Sequence, residues 1–464
     1  MTKGKDDNVN VNLCKPENLN LEELIKPESR YFVNVRRSDG SSYLDMINGK
    51  KLSKYIPAMY YFIHVLLQRQ HISYDTLRLR YDKTFVRIFV RDIEPVKSKN
   101  YFNLIVFKLI TLKIIERKTS RESTKGGYMV EGQYFRLTEE YLNAVVIQHE
   151  ITLKKTTAEK LKVKFGIKST DSKDTANISS FKQIPAIYHQ YLAVHNIRFN
   201  TEEAEEYLTR SYSDKTIEIG RLNTCRIYMY NITNGRFYYT YSDACERFFT
   251  TVNGMPKELR QFILDGDNQG LVELDFGSST AYVIYKIISS DMPEHASVVN
   301  KILFETEVDL YKRLLETGDF YSAIRDIIFH GYELSRGQIK DIVIKHWFNA
   351  TPGSKNKYRK QICKVFPRIT EFIDSKKSPV YEDFFNFVML LESKLVNGII
   401  YQKFINLHPD AVIYTVFDSF LIDQKYSDEL FELMLNEGRI FYNVDCVVKK
   451  KNYATPKDDT VIVH

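Results

Sequence analysis

Apolar residues recur at helical spacing through IPAMYYFIHVLLQRQ (56–70), which predicts an amphipathic helix, and HISYDTLRLRY (71–81) predicts a second, shorter one. NYFNLIVFKLITLKIIERK (100–118) reads as a helix running into a strand. STKGGYMVEGQYFRLT (123–138) then offers a Gly-Gly turn, a short strand and another strand. Residues 1–50 form a polar segment whose first 28 residues are expected to fray. Residues 151–230 are charged and mainly helical in pattern, with KSTDSKDTANISS (168–180) as a flexible connection. From 231 to 464 the texture changes to strands and long helices that carry isolated acids inside apolar runs.

Helix, helix, helix and a basic two-stranded hairpin is the layout of a winged helix, here spanning 51–150. Lys118, Arg121 and Lys125 would lie on or near the wing, where they suit duplex DNA. A small α+β packing domain fits the same pattern, so both readings stay open. Composition changes this picture little. A chain of 464 residues with 44% apolar side chains predicts two or three domains. No stretch approaches the ~20 apolar residues of a membrane span. The start, MTKGKDDNVNVN, lacks the apolar core of a secretory signal, which predicts a cytoplasmic protein. Five scattered cysteines, never in a CxxC pair, suggest neither a disulfide framework nor a zinc site. The net charge of +7 is mild, but 66 Lys and Arg mixed with 32 Tyr and 29 Phe suit phosphates and bases.

Candidate chemistry begins with VIYTVFDSFLID (412–423), a buried-strand pattern broken by Asp418 and Ser419 between two phenylalanines. A carboxylate there is costly unless a cation, a metal or strong donors pair with it. GLVELDFGSSTAYVIYKI (270–287) repeats the device: an apolar strand reaches Asp275, then a small-residue turn and an apolar helix follow. Two strand-end acids suit a divalent-metal cleft, since Mg²⁺ prefers carboxylate oxygens. Two ions about 4 Å apart would serve phosphoryl transfer. A helix-capping role for Asp275 is the competing reading. In YELSRGQIKDIVIKHWFNATPG (332–353), Arg336, Lys340, Ile344 and Phe348 recur every four residues. Each step drifts by about 40°, so the four span about 120° of one helix face. The two cations could grip a triphosphate while the two apolar side chains lie against sugar and base. A plain solvent-edge helix has the same pattern.

Taken together, these stretches resemble family A DNA polymerases, the polymerase-I type, and the related single-subunit phage-type RNA polymerases. LVELDFGSS with Asp275 resembles motif A, and the Arg336, Lys340, Ile344, Phe348 series resembles motif B. Phe417, Asp418 and Ser419 resemble motif C, and the three occur in the family's order. NGRFYYTYSDACERFF (234–249) resembles the Gly-Arg segment, which would place Arg236 near primer, template or nucleotide, with Arg260 as a supporting cation. DLYKRLL (309–315) resembles the helix between motifs A and B.

The resemblance implies an α+β right-hand polymerase, with palm and fingers over 231–464 and a thumb-like or linker region over 151–230; the winged-helix-like domain over 51–150 rests on its element pattern. It implies two Mg²⁺ (or Mn²⁺) ions held by Asp275, Asp418 and the Phe276 carbonyl, with Asp275 and Asp418 catalytic. The implied partners are a DNA primer-template and nucleoside triphosphates, with no membrane. The sequence departs from the pattern at three places. Thr280 stands where the DNA polymerases carry a ribose-excluding glutamate, Phe348 replaces the motif B tyrosine, and Phe417 replaces the motif C histidine. No 3′-5′ exonuclease segment is evident. A polymerase core joined to a DNA-binding module suits a plasmid, phage or other mobile element. An RNA polymerase or primase with the same palm, and an initiator or regulator with a decayed palm, are the alternatives. An unrelated metal-dependent nuclease is disfavoured by the triphosphate-gripping pair.

Overall fold

A computed structural model describes residues 8–26, 30–36, 42–48, 52–71, 86–87, 102–123, 129–154, 185–290, 298–377, 381–453 and 460–463. The chain mixes helix and strand and separates into two compact units. The first comprises Met1–Asn177, Phe199–Phe237 and Gly254–Arg260; the second comprises Ile178–Arg198, Tyr238–Asn253 and Gln261–His464.

In the first unit, residues 8–26 of the polar N-terminal segment are ordered rather than frayed. Asn8–Pro16 pairs antiparallel with Val146–Lys154 along its whole length, and Leu13 is fully buried. The physical reason is local: NVNVNL alternates polar and apolar with a period of two, a strand signal that average polarity conceals. A hairpin joins Arg30–Arg36 to Ser42–Asn48. The first expected helix forms as Ile56–His71, but it is buried around nearly its whole circumference instead of on one stripe. It packs on the strand Asn8–Pro16, the strand Met129–Leu137 and the helix Ile219–Thr233, which leave it little solvent.

Of the remaining helix-helix-helix-hairpin pattern, the helix Phe102–Thr111 and the hairpin of Ile115–Ser123 with Met129–Leu137 form as expected. Val86–Arg87 adds a third strand beside Met129–Leu137. The second helix, 71–81, falls almost wholly outside the described residues, as do Lys125 and the stretch 168–180. Lys118 is exposed on the outer strand.

In the second unit, the site rests on a five-stranded antiparallel sheet. In chain order its elements follow a hairpin of β1 (Tyr239–Ser242) and β2 (Arg247–Thr250). They are β3 (Val272–Phe276), β4 (Ile413–Val416), β5 (Ser419–Ile422), β6 (Val448–Asn452) and β7 (Thr460–Val463), in the spatial order β4-β5-β3-β6-β7. Along β3, Val272, Leu274 and Phe276 point into the core, so Glu273 and Asp275 share the other face. Among the helices that follow β3 are α1 (Ser279–Ser290), α2 (Val298–Glu316), α3 (Phe320–Ile328), α4 (Arg336–Val343), α5 (Lys357–Val365), α6 (Pro367–Lys376), α7 (Tyr381–Ser393) and α8 (Ser427–Tyr442). Trp347, wholly buried, sits among Tyr311, Phe348 and Phe366, and its Nε1 donates to Thr370 Oγ1 at 2.9 Å.

Contrary to the apolar-run count, the helical stretch Phe384–Leu407 is long and apolar enough to cross a membrane. The count missed it because single polar residues such as Glu392 interrupt the apolar runs. Leu395, Val396, Ile400, Tyr401 and Phe404 of this stretch belong to the hydrophobic core of the unit.

Helix α8 backs the sheet at Gly438, where an added Cβ would stand 3.0 Å from Phe276 Cε1 and 3.2 Å from Cys446 Sγ. Gly438→Ala gains about 1 kcal/mol of helix propensity but crowds a packed ring at a cost of about 1–3 kcal/mol. The expected outcome is a net loss in a denaturant melt, and a larger one for Gly438→Val.

Candidate active site

Register brings the two strand-end acids together. β3 and β5 pair antiparallel with Asp275 opposite Ser419, so Asp418 lies one residue from Asp275's cross-strand partner. Asp418 sits in the two-residue turn between β4 and β5, where Val416 pairs with Ser419. Such hairpin loops favour positive φ. Here Phe417 adopts φ 59°, a conformation that costs a bulky residue about 1–2 kcal/mol. On the other side of β3, Lys449 of β6 stands opposite Asp275.

The electrostatics follow from this crowding of acids. Asp275 is pushed up to about 6, first by burial and then by Glu273, while Lys340 and Lys449 pull it down and Glu392 adds to the rise. Asp418 is driven well above the usual carboxylate range, first by burial and then by Glu392 and Asp275. Lys449 is pushed down by burial and by Arg336. Glu273 accepts a hydrogen bond from Tyr453 Oη at 2.5 Å.

The cations come from α4. Ser335 caps this helix, and Gln338 completes a capping box that fixes where its first turn starts. Arg336 and Lys340 then stand 5.5 and 5.9 Å from the centroid of the Tyr321 ring, which is buried. Arg336 Nε donates to both carboxylate oxygens of Asp319, each at 2.9 Å. Burial raises Asp319, but hydrogen bonds from Ser322 and Arg336 win and hold it below the ordinary range.

The rest of the expected series is placed differently. After Val343 the helix widens into a π-helical turn, Ile344–Phe348, which changes the spacing that the four-residue count assumes. Ile344 is half-buried, whereas Phe348 is buried against Trp347 with 1% exposure, so its ring offers no open stacking face. Thr280 is half-buried in the first turn of α1. Phe276 packs its ring edge-on against Tyr442, so only its backbone could serve a metal. Tyr311 of the DLYKRLL helix is wholly buried and donates to the Ala281 carbonyl at 3.1 Å, a core tie. Arg236 and Arg260 belong to the first unit. There the Arg236 guanidinium lies 4.8 Å from the Tyr230 ring centroid and 3.0 Å from Nε2 of buried His64.

Sequence reading missed four residues of this neighbourhood: Tyr321, Lys449, Arg247 and Glu392. Glu392 is a single acid in the apolar run VMLLESKLV (388–396), the same signal that exposed Asp275 and Asp418. It forms an ion pair with Arg247 and accepts from Ser279 Oγ at 2.8 Å. Among the described residues, no three acids, histidines or cysteines form a metal-binding group. Asp275 and Asp418 are hard oxygen donors whose charge burial penalises, the kind of donor that suits Mg²⁺ or Mn²⁺.

No known protein family's pattern matches the chain, and no curated protein matches it. Among solved structures it is similar to the POL domain of Pol1 from M. smegmatis, in complex with DNA primer-template and dNTP. The identity is 12% and the TM-score 0.34, over 54% of this chain and 56% of that one. The chain thus spans about half the length of that structure. A likeness at this level carries no weight for function; the side chains must.

Proposed function

We propose that the chain catalyses template-directed nucleotidyl transfer, joining deoxynucleotides to the 3′ end of a primer paired with a DNA template. The observation that carries this is the register that sets Asp275 beside the Asp418 turn, with Lys340, Lys449 and Arg336 grouped nearby. Asp275 and Asp418, with the Phe276 backbone, would hold the divalent cations. A bound cation would lower the pKa of the primer hydroxyl and neutralise the leaving pyrophosphate. Arg336 and Lys340 bind the triphosphate, because two fixed cations match its charge and supply donors at its oxygens. Exposed basic side chains such as Lys118 in the first unit are proposed to engage duplex DNA.

The test is primer extension on a primed DNA template with Mg²⁺, using deoxynucleotides and ribonucleotides in separate reactions. Extension with deoxynucleotides that stops on chelation is expected. No extension with either set would reduce the fold to a binding scaffold, and extension with ribonucleotides alone would make it an RNA polymerase or primase. Thr280 leaves room for a 2′-hydroxyl, so Thr280→Glu is expected to sharpen discrimination against ribonucleotides.

Asp319 competes with the triphosphate for Arg336. Asp319→Asn keeps the N-cap of α3, since asparagine caps as well as aspartate, but releases the guanidinium. A part-exposed pair of this kind is worth about 0.5–1 kcal/mol, which predicts a KM for deoxynucleotide roughly twofold to fivefold lower. Steady-state kinetics under single-nucleotide addition would show it, and an unchanged KM would leave Arg336 without a role at the phosphates.

A further inference from the structure

Behind the two aspartates lies a buried ion pair that neither holds a cation nor grips the nucleotide. Arg247 of β2 and Glu392 of α7 are exposed by only 6% and 8%. Glu392 spends one carboxylate oxygen on Arg247 and the other on Ser279 Oγ, at the start of α1 and just beyond Asp275. Both oxygens are therefore committed to the protein rather than free for a ligand. The Arg247 guanidinium also lies 5.6 Å from the centroid of Phe417 and 6.0 Å from that of Phe249. Those two rings meet edge to face at 6.5 Å. Phe417 is the residue at φ 59° directly before Asp418. Ser393 Oγ donates to the Glu246 carbonyl at 2.7 Å, tying α7 to the β1–β2 hairpin at the same place.

One pair thus touches both segments that carry the candidate metal-binding acids, through Ser279 on one side and Phe417 on the other. A buried ion pair adds little to stability compared with apolar residues of the same size, because desolvation offsets the attraction. Its use is geometric: it fixes two chain segments against each other. We propose that Arg247 and Glu392 are positioning residues that hold the Asp418 turn and the start of α1 at the separation the divalent cations require. The inference rests on the metal-dependent reading of this site.

The experiment measures Mn²⁺ binding directly by electron paramagnetic resonance, beside thermal melts and primer extension, on the full chain. The variants are the apolar double Arg247→Met with Glu392→Met, the single Arg247→Lys, and Asp275→Asn as reference. The double variant is expected to melt at or above the wild-type temperature. Its Mn²⁺ affinity and turnover are expected to fall roughly tenfold to a hundredfold, the usual effect of losing residues that orient metal ligands. KM for deoxynucleotide should stay nearly constant, because Arg336 and Lys340 are untouched. Arg247→Lys keeps the charge without the planar fork and should fall between the two. A double variant that is stable and binds Mn²⁺ like the wild type would overturn the proposal. If the double variant does not fold, wild-type Mn²⁺ affinity and turnover in Arg247→Lys would overturn it equally. Wild-type protein whose Mn²⁺ binding is indifferent to Asp275→Asn would instead overturn the metal-dependent reading, and this inference with it.

Discussion

Asp418→Asn is expected to abolish nucleotide addition while making the metal-free protein more stable. The carboxylate is driven well above its usual range by burial, Glu392 and Asp275, so its ionised form is disfavoured in the folded state. Asparagine keeps the shape and removes the charge. Loss of a metal ligand removes several kcal/mol of transition-state stabilisation, a rate loss of about a thousandfold or more. Stability should move the other way above the usual carboxylate range, where folding the wild type means either burying the charge or taking up a proton, and asparagine does neither. Primer extension and thermal melts on one preparation check both halves. An active variant would remove Asp418 from the site, and an inactive but less stable one would make it a structural residue. Asp275→Asn should behave alike.

Metal-free protein should lose stability as the pH rises from about 4 to about 6, and a divalent cation should restore it. Asp275 titrates at 3.8 when unperturbed and at about 6 in the fold. Between those values the folded state holds a proton that the unfolded state has released. Stability therefore falls as pH rises through the window. Complete desolvation would make this about 3 kcal/mol. Partial exposure of the carboxylate reduces it to about 1–2 kcal/mol. Cations bind the ionised form, so Mn²⁺ affinity should climb over the same window, and nucleotide addition should decline below about pH 6. Melts at a series of pH values, with and without Mn²⁺, would show the two curves converge at low pH. A metal-free stability flat from pH 4 to 7 would mean that the acids do not share a crowded site.

Much of the candidate site was legible because its chemistry conflicts with its surroundings. An acid inside an apolar run is conspicuous wherever it occurs, and Asp275 and Asp418 stand in such runs. Arg336 and Lys340 were legible because four residues make about one helical turn, and the structure sets both over Tyr321. Phe348 was misplaced by the same count. A π-helical turn takes more residues than an α turn, and nothing local in IKHWF announces it. The N-terminal strand is concealed for another reason: its mean polarity is high, and only the alternation in NVNVNL carries the strand signal.

The sequence by itself determined the strands and helices that bear the chemistry, because period-two and period-3.6 patterns act over a few residues. It also determined which side chains could not be buried at ease. Only the tertiary structure decided which of them meet. The β3–β5 register that sets Asp275 opposite Ser419 depends on hydrogen bonds between segments far apart in the chain. Likewise Arg247 is unremarkable in ERFF until α7 brings Glu392 to it and the β4–β5 turn brings Phe417. Pairing of this kind is set by the packing of whole elements, and local propensity holds no record of it.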